Sequence, residues 1–383
     1  MTIDTSNWDK VTLGDIAQSL TIATKDPLAE GFERYVGLEH IEPGNIHIKS
    51  WGNVADGTTF TRVFRKGQVL FGKRRAYQKK TAMAEFDGIC SGDILVCEAI
   101  KDVVVPELLP FIVQSDRFFE YAIKTSAGSL SPRTKFKDLA KFTLKLPAKP
   151  ADQKRIADLL WSIDDVGESY IKLLKKLTIL KNAYFDVMHE DKKSNPRSVS
   201  EIAEVNPRLS QKDISSSTVI SFVAMADVSE EGCILHKEDK SYGAVKNGLT
   251  PFEEGDILFA KITPCMENGK GAIALGLKNR IGFGSTEFHI LRPIIDTDRD
   301  YLFYLTNMRG LRKKAEQLMT GSAGQKRVPS DFFDFYKVRF PEASKRILIG
   351  QQMKSFDEKI VDLKANIAGA KGIQKQIINQ IFG

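Results

Sequence analysis

Apolar residues follow a heptad pattern over a stretch of the chain that begins near Asp152. Their spacing alternates between three and four residues, at Ile156, Leu159, Ile163, Val166, Tyr170, Leu173, Leu177, Leu180, Tyr184 and Val187. This spacing is typical of a helix that packs against a second helix in a coiled coil. Asp152 is a suitable N-cap, and Asn195-Pro196 ends the predicted helix.

A second heptad stretch starts at about Ser344, which is again a suitable N-cap. Its apolar residues are Ile349, Met353, Phe356, Ile360, Leu363, Ile367 and Ala370, followed with looser spacing by Ile373, Ile377 and Ile381. Gly369 and Gly372 weaken its end by about 1 kcal/mol each relative to alanine. Each helix could bury its stripe on its own globular domain, but a stripe this long and narrow favours two helices packed on each other.

The second half of the chain repeats the first at an offset of about 190 residues, far longer than a solenoid period. FRKGQVLFGKRRAYQKK, which starts at Phe64, aligns with FEEGDILFAKITPCMENGK, which starts at Phe252. Further matches keep the same order, including TSAGS with TGSAG and ADQKRIADLLWSIDD with SKRILIGQQMKSFDE. These matches predict a duplicated unit, with globular domains at 1–149 and 197–342 and helical segments at 150–196 and 343–383.

The globular domains mix short strand patterns with short helical ones, which predicts an α+β fold. The predicted strands are VLFG, DILVCEA, FTLKLP, TVISFV, DILFAKI, STEFHILRP and YKVRF. LPFIVQSDRFFEYAIK and YLFYLTNMRGLRKKAEQLM are predicted as amphipathic helices. If the two copies are related by a pseudo-two-fold axis, their long helices form an antiparallel two-helix coiled coil that joins the domains.

Composition and charge narrow the class of protein. The hydrophobic fraction of 42% and charged fraction of 27% are those of an ordinary globular protein, and the net charge of +7 favours acidic partners such as nucleic acid. The four cysteines (Cys90, Cys97, Cys233 and Cys265) form no CxxC pair, and the five histidines form no metal-binding motif. With no secretory signal and no long apolar run, we expect a cytoplasmic protein with reduced thiols.

No catalytic motif is found in the sequence. The phosphate-binding GxxxxGK[ST] loop, GxGxxG and GxSxG are all missing. Asn206-Pro207-Arg208 is the string nearest to an amino-methyltransferase motif, but it lacks the second proline and the aromatic residue. The carboxylate strings at Asp357 and Glu238 lie on the predicted coiled coil and in a polar loop, so they form no metal cluster of a nuclease. We therefore expect a non-enzyme that holds neither metal nor cofactor.

Basic and small polar residues mark candidate DNA-binding loops at matching places in both halves. In the first half they are Lys73, Arg74, Arg75, Tyr77, Lys79, Lys80, Ser126, Ser129, Ser131, Arg133 and Lys135. In the second half they are Lys261, Thr263, Asn268, Lys270, Ser285, Thr286, Ser322, Gln325, Lys326 and Arg327. Lysine and arginine neutralise phosphates, arginine pairs with guanine, and Asn or Gln pairs with adenine. Each of these residues, taken alone, is typical of an ordinary solvated surface. Both halves place the loops at equivalent positions but fill them with different side chains, which indicates recognition of two different half-sequences.

The predicted helices also have a length that suits DNA recognition. A helix of about 36 residues is roughly 54 Å long, at a rise of 1.5 Å per residue. DNA half-sites one helical turn apart are separated by roughly 34 to 36 Å. The paired helices are therefore long enough to hold two DNA-binding domains along one duplex.

This arrangement resembles the specificity (S) subunits of type I restriction–modification systems. The resemblance covers nearly the whole chain and rests on the GDILF-type strand, the TSAGS and TGSAG loops, and ADQKRIADLLWSIDD with its repeat. It implies two target recognition domains that each recognise half of a split double-stranded DNA site. It also implies that the helices fix the gap and dock two adenine-specific methyltransferase (M) subunits, which carry S-adenosylmethionine, and that restriction/translocase (R) subunits join them.

Three other functions remain open on the sequence. The chain could serve a related, type IIB-like system in which nuclease and methyltransferase are fused. It could be a stand-alone DNA endonuclease, although the missing carboxylate cluster argues against Mg²⁺-dependent cleavage. A coiled-coil scaffold without a DNA role would tolerate neutralisation of the basic loops.

Overall fold

Short strands dominate the first part of the chain, and one long helix ends it. A computed structural model describes residue 5 and residues 7–190, 194–322 and 324–383. The strands are β1 (Asp9–Thr12), β2 (Ala17–Leu20), β3 (Arg34–Val36), β4 (Gly52–Asn53), β5 (Arg62–Phe64), β6 (Val69–Gly72), β7 (Thr81–Met83), β8 (Gly88–Cys90), β9 (Ile94–Ala99) and β10 (Thr143–Leu146). The helices are α1 (Leu13–Ile16), α2 (Leu109–Ile112), α3 (Asp116–Lys124), α4 (Phe136–Leu139) and α5 (Pro150–His189).

Among the described residues, the second part of the chain also has ten strands followed by a long helix. Its strands are β11 (Pro196–Ser198), β12 (Ala203–Val205), β13 (Val219–Val223), β14 (Glu238–Ser241), β15 (Thr250–Glu253), β16 (Ile257–Ala260), β17 (Gly271–Ile273), β18 (Ile281–Gly284), β19 (Phe288–Pro293) and β20 (Lys337–Arg339). Its helices are α6 (Tyr242–Val245), α7 (Arg299–Thr306), α8 (Arg309–Leu318), α9 (Phe332–Phe335) and α10 (Ala343–Phe382). All seven predicted strands are confirmed, since β6, β9, β10, β13, β16, β19 and β20 lie within them.

The chain folds into two units that each contain one half of each long helix. Unit 1 consists of Met1–Lys172 and Lys364–Gly383, and unit 2 consists of Leu173–Leu363. Unit 1 has two four-stranded sheets, in the orders β2-β9-β6-β7 and β4-β3-β8-β5, and a β1-β10 pair. Unit 2 has the same topology, with β12-β19-β16-β17, β14-β13-β18-β15 and a β11-β20 pair. The duplication predicted from sequence is thus a duplication of topology.

The strand β6 is buried on both faces, which explains why its sequence is a continuous apolar run. Val69 and Phe71 belong to the core cluster that includes α2 and α3. Leu70 points to the opposite side and packs with Val36 and Phe64. β6 pairs antiparallel with β7 on one side and with β9 on the other, so it is an inner strand of its sheet. The loop that follows Gly72 therefore emerges from a rigid, central strand.

The two amphipathic helices predicted in the globular domains are wrong in one respect, because each is broken into two. Ser115 separates α2 from α3, and its Oγ accepts a hydrogen bond from Phe118 N, which caps α3. Asn307 and Met308 separate α7 from α8. The predicted N-caps Asp152 and Ser344 are also wrong, because α5 starts at Pro150 and α10 at Ala343. Proline is favoured at a first helical position since it has no N–H that needs a partner there.

Within each unit the two long helices pack antiparallel, as predicted. In unit 1, Gln374 donates from Nε2 to Asp164 Oδ1 at 3.1 Å. Gly167 faces Ala370, and a Cβ at Gly167 would lie 3.8 Å from the Cβ of Ala370. Residue numbers increase along α5 in the direction in which they decrease along α10, so the two helices are antiparallel.

The same direction holds in unit 2. Lys181 bonds to Asp357, and the rings of Tyr184 and Phe356 lie 5.6 Å apart. Along the predicted stripe of α10, every member from Ile349 to Ala370 is buried or half-buried, whereas Ile373 in the loosely spaced tail is 54% exposed. The contacts between α5 and α10 agree with the heptad pattern, which predicted that the two long helices pack on each other.

The predicted stripe of α5 is only half right. One half of it, Ile156, Ile163, Tyr170, Leu177 and Tyr184, is partly buried. The other half is solvent-exposed, from 43% at Leu159 to 70% at Val187, with Val166, Leu173 and Leu180 between these values. The residues that turn inward instead come one position later, at Leu160, Gly167, Leu174, Lys181 and Met188. Because Leu159-Leu160 and Leu173-Leu174 are both apolar pairs, the sequence permitted either register.

Candidate nucleic-acid interface

In unit 1, backbone hydrogen bonds bring together the two groups of residues predicted to bind DNA. Lys73 N donates to Asp93 O, and Lys73 O accepts from Thr134 N, both at 3.0 Å. Arg75 N donates to Pro132 O at 2.8 Å. The basic loop after β6, the turn before β9 and the Gly/Ser-rich loop before α4 therefore form one surface, which we call the three-loop cluster of unit 1 (residues 73–80, 91–93 and 125–135).

A carboxylate that the sequence analysis missed lies in the middle of this cluster. Asp93 accepts hydrogen bonds from Arg133 Nε at 2.7 Å and from Arg133 Nη2 at 3.2 Å. Arg74 reaches Asp93 at 3.4 Å and donates from Nε to Ser131 Oγ at 3.2 Å. The hydrogen bonds from Arg133 lower the pKa of Asp93, while partial burial lowers the pKa of Lys73. The signal for Asp93 was the repeat itself, because SGD of the first half aligns with STE of the second.

Besides Arg74 and Arg133, two further predicted basic residues of unit 1 are engaged within the protein. Lys79 forms an ion pair with Asp116 at 2.6 Å, and Lys80 donates to Leu38 O at 2.6 Å. They hold the loop in shape and are less available to a ligand than the sequence suggested. Tyr77 is 54% exposed. Ser129 and Lys135 are exposed as well.

The backbone of this loop carries local strain. Arg75 and Lys79 flank a single 3₁₀ turn over Ala76–Gln78 and have φ values of 54° and 51°. A residue with a side chain costs about 1 to 2 kcal/mol in this left-handed region. Arg75 Nε is also buried and, within the described part of the chain, has no hydrogen-bond partner. Strain and an orphaned donor in one loop are typical of a functional site.

Unit 2 builds the same cluster from different side chains. Lys261 N donates to Glu287 O and Lys261 O accepts from Val328 N, both at 2.9 Å, and Thr263 N donates to Lys326 O at 3.0 Å. Arg327 forms an ion pair with Glu287, with the shortest contact at 2.7 Å, and these hydrogen bonds lower the pKa of Glu287. The three-loop cluster of unit 2 comprises residues 261–270, 285–287 and 320–322 with 324–328.

Several predicted residues of unit 2 bond to their own domain. Thr263 Oγ1 donates to Glu267 at 2.7 Å, Asn268 Nδ2 to Glu230 at 2.9 Å, and Lys270 Nζ to Met225 O at 3.1 Å. The exposed predicted residues are Asn268, Thr286, Ser322, Gln325, Lys326 and Arg327, while Ser285 is half-buried. The loop tip of this unit is thus formed mainly by the Gly/Ser-rich segment.

A buried arginine supports the first loop of this cluster and was missed by the sequence analysis. Arg312, on α8, donates from Nη1 to Met266 O at 2.7 Å and from Nη2 to Asn307 Oδ1 at 3.0 Å. Its guanidinium lies 4.7 Å from the centre of the Phe259 ring. Burial lowers the pKa of Arg312 to about 10, so it stays charged at neutral pH. No local signal marks it, because its partners come from segments distant in sequence.

Other chemistry finds little support among the described residues. Within residues 7–190, 194–322 and 324–383, no group of three or more His, Cys, Asp or Glu side chains is placed to hold a metal ion. Cys90 and Cys97 are buried, and burial raises the pKa of both thiols to about 12, which keeps them protonated. None of the described helices is long and apolar enough to cross a lipid bilayer. The clusters offer cations, small residues and exposed polar side chains, which is the equipment for binding phosphates and base edges.

Comparison with protein families gives a match over most of the chain. The model of the type I restriction modification DNA specificity domain matches residues 5–178 and again residues 191–369. The two matches correspond to the two copies found in the sequence.

Individual relatives match over shorter stretches. The specificity subunit of the Escherichia coli type I restriction enzyme EcoEI is 44% identical over 146 residues, which is 37% of this chain and 24% of that relative. The corresponding subunit of Escherichia coli EcoAI is 44% identical over 155 residues, or 39% of this chain and 26% of that relative. The chain thus spans about a quarter of the length of these curated relatives.

Solved structures share the fold over the whole length. The type I restriction–modification S subunit of M. genitalium superposes with a TM-score of 0.61 at 12% identity, covering 100% of this chain and 98% of that one. A chain from a study of complex assembly and conformational transition in the type I system has a TM-score of 0.60 at 17% identity, covering 98% of both. At 12% and 17% sequence identity, these similarities show a shared fold and nothing more.

Proposed function

The chain belongs to the family of type I restriction modification DNA specificity domains, and we propose that it is the non-catalytic specificity subunit of a type I restriction–modification complex. Its two units each recognise one half of a split DNA site. The observation that carries the proposal is the duplicated three-loop cluster, which has one backbone frame and two sets of exposed side chains. Two recognition surfaces of this kind suit a two-part site better than one continuous site.

The exposed members of each cluster whose side chains form none of the ion pairs or hydrogen bonds given above make the DNA contacts. In unit 1 these are Tyr77, Ser129 and Lys135, together with the half-buried Arg75. In unit 2 they are Thr286, Ser322, Gln325 and Lys326. Lys73 and Lys261, which follow the central strands at equivalent places, neutralise backbone phosphates. The lysines and asparagine that bond within the protein shape the loops and contact DNA less directly.

Partner subunits dock on the exposed apolar row of α5. This row comprises Leu159 and Val166 in unit 1 and Leu173, Leu180 and Val187 in unit 2. A row of apolar residues at heptad spacing that the described part of the chain leaves 43% to 70% exposed is suited to a further helix. We assign it to two adenine-specific methyltransferase subunits, which supply S-adenosylmethionine, with restriction/translocase subunits joining the assembly.

The proposal is tested by mapping modified adenines in the source genome with and without this gene. We expect a motif of two short halves separated by a fixed gap to lose its modification when the gene is deleted. Reintroducing the gene restores the same motif. An unchanged map, or loss of an unsplit motif, would contradict a two-part specificity subunit. Mg²⁺-dependent cleavage of DNA by the isolated chain would contradict its assignment as non-catalytic.

A further inference from the structure

An ion pair stands at the same place in both units, within each three-loop cluster. In unit 1, Arg133 donates from Nε and Nη2 to the two carboxylate oxygens of Asp93, at 2.7 and 3.2 Å. In unit 2, Arg327 donates from Nε to Glu287 Oε2 at 2.9 Å and from Nη2 to Glu287 Oε1 at 2.7 Å. A forked contact between arginine and carboxylate is among the stronger charge-assisted hydrogen bonds.

The pair is repeated although the side chains around it are not. Arg74 and Arg75 of unit 1 stand where unit 2 has Ile262 and Thr263. Residues that recognise two different half-sequences must differ between the units. An ion pair that is the same in both units therefore has a role that does not depend on the base sequence.

Backbone hydrogen bonds already hold the loop beside each arginine. Arg133 exchanges two of them with Ala127, at 2.9 and 3.0 Å, and Arg327 exchanges two with Thr320, at 2.8 and 3.0 Å. The two arginine side chains are 47% and 44% exposed. An ion pair this accessible to solvent adds little to stability. The ion pair matters because a guanidinium that is bound to a carboxylate is not free to bind a DNA phosphate.

Cations surround each of these two carboxylates. The cations that act on them are Arg133, Arg74 and Lys73 around Asp93, and Arg327 and Lys261 around Glu287. Hydrogen bonds from the paired arginine lower the pKa of each carboxyl group, so both are ionised at neutral pH. Each one cancels a positive charge at a point where a DNA phosphate would approach.

We propose that Asp93 and Glu287 limit sequence-independent DNA binding, because each carboxylate occupies an arginine that a backbone phosphate would otherwise bind. The inference rests on the proposed function and names two specificity-determining residues within it. A phosphate that approaches without support from base contacts must displace a carboxylate and meet its negative charge. In the correct half-site, contacts from the neighbouring loop tips offset that cost.

The test measures binding of the full-length chain to a fluorescent duplex of arbitrary sequence over a range of salt concentrations. Asp93→Asn and Glu287→Gln keep the shape of each side chain but remove its charge. We expect either variant to bind this duplex severalfold more tightly than wild type, with a salt slope steeper by about 0.9 for each arginine released. Adding Arg133→Gln to Asp93→Asn, or Arg327→Gln to Glu287→Gln, should abolish the gain.

Asp87→Asn is the matched control, because Asp87 pairs with the exposed Arg65 at 2.9 Å, outside the cluster. It changes the net charge by the same amount and should leave the salt slope unchanged. Weaker or unaltered binding by both charge-removing variants would overturn the inference, while wild-type binding to the genomic split motif would still support the proposed function. A gain equal to that of Asp87→Asn would reduce the effect to net charge and also overturn it.

Discussion

Unit 1 and unit 2 fix the start of their long helices with different buried groups. In unit 1, the amide of Gln153 donates to Pro147 O at 2.9 Å and to Val103 O at 3.2 Å, and accepts from Val105 N at 2.9 Å. In unit 2, Arg346 donates to Pro341 O at 2.6 Å and forms a forked pair with Asp298, with both contacts at 2.8 Å. A neutral amide and an ion pair thus perform the same structural task.

A second exchange of this kind lies at the edge of the central sheets. Gln68 donates to Glu98 at 3.0 Å in unit 1. At the corresponding place in unit 2, Arg292 forms two contacts of 2.7 Å with the buried Asp256. The duplicated backbone thus requires a polar link at each position but does not specify its charge. Because the partners change together, each buried polar group remains satisfied.

The largest expected difference between the units concerns the links at the starts of the helices. Arg346→Ala leaves Asp298 buried and unpaired, so it should lower the free energy of unfolding by about 3 to 5 kcal/mol. Gln153→Ala in unit 1 removes neutral hydrogen bonds and should cost about 1 to 3 kcal/mol. Denaturant unfolding followed by circular dichroism measures both. Equal losses for the two variants would contradict the distinction between the charged and neutral links.

The next largest effect concerns DNA recognition: we expect a variant in each unit to affect a different half of the DNA motif. Arg75→Ala should relax recognition in one half of the motif, and Gln325→Ala in the other, by about 1 to 3 kcal/mol each if the side chain contacts a base. Binding to duplexes with a substitution in one half at a time measures this. Lys80→Ala is the control, because Lys80 is engaged by Leu38 O. Loss of discrimination in the same half for both variants would contradict separate recognition by the two units.

The pH dependence of stability should have opposite signs in the two units. In unit 1, hydrogen bonding of His47 to Asp164, at 2.6 Å, raises the pKa of His47 to about 9. The unfolded value is near 6.5, so this contribution is complete below pH 6.5 and is lost as pH rises through about 9. The expected size is about 1 to 2 kcal/mol, since water screens part of the interaction.

His289 of unit 2 behaves in the other direction. Burial lowers its pKa, and the ring donates to Val328 O at 2.8 Å while accepting from Asn206. Its neutral form is favoured in the fold, so stability is kept above pH 6.5 and lost as pH falls through the lowered value. Melting curves of His47→Gln and His289→Gln between acid and alkaline pH measure both. A variant that keeps the wild-type pH profile would contradict the role of that histidine.

The smallest effect on folding is expected on the exposed row of α5. Leu159→Gln should change the free energy of unfolding of the isolated chain by less than about 0.5 kcal/mol, because Leu159 is solvent-exposed. The adjacent Leu160 is fully buried, and Leu160→Gln should be clearly destabilising. Co-purification with the methyltransferase subunit should nevertheless fall for Leu159→Gln. Unimpaired co-purification of Leu159→Gln combined with Val166→Gln would remove the row from the docking surface.

Much of the candidate site was predictable because the chain is duplicated. The matching order in both halves groups the basic loop after β6 with the loop that contains TSAGS, and backbone hydrogen bonds join these two loops in the fold. The sequence could not show which of the basic residues are already paired with groups of the protein. Lys79 and Lys80 belong to the same basic run as Arg75, yet their partners Asp116 and Leu38 come from distant segments. Charge in a sequence gives no information on whether it is already neutralised in the fold.

The sequence by itself determined the duplication, the strands and the existence of two long helices. Strands such as β6 and β16 are short apolar runs buried on both faces, and periodicity identifies the helices, so both are properties of local sequence. Only the tertiary structure decided which face of α5 turns inward, because Leu159 and Leu160 are equally apolar and packing against α10 selects one of them. It also decided that Asp93 and Glu287 face the arginines of the clusters, since such contacts join residues about 40 positions apart and depend on how loops meet in space.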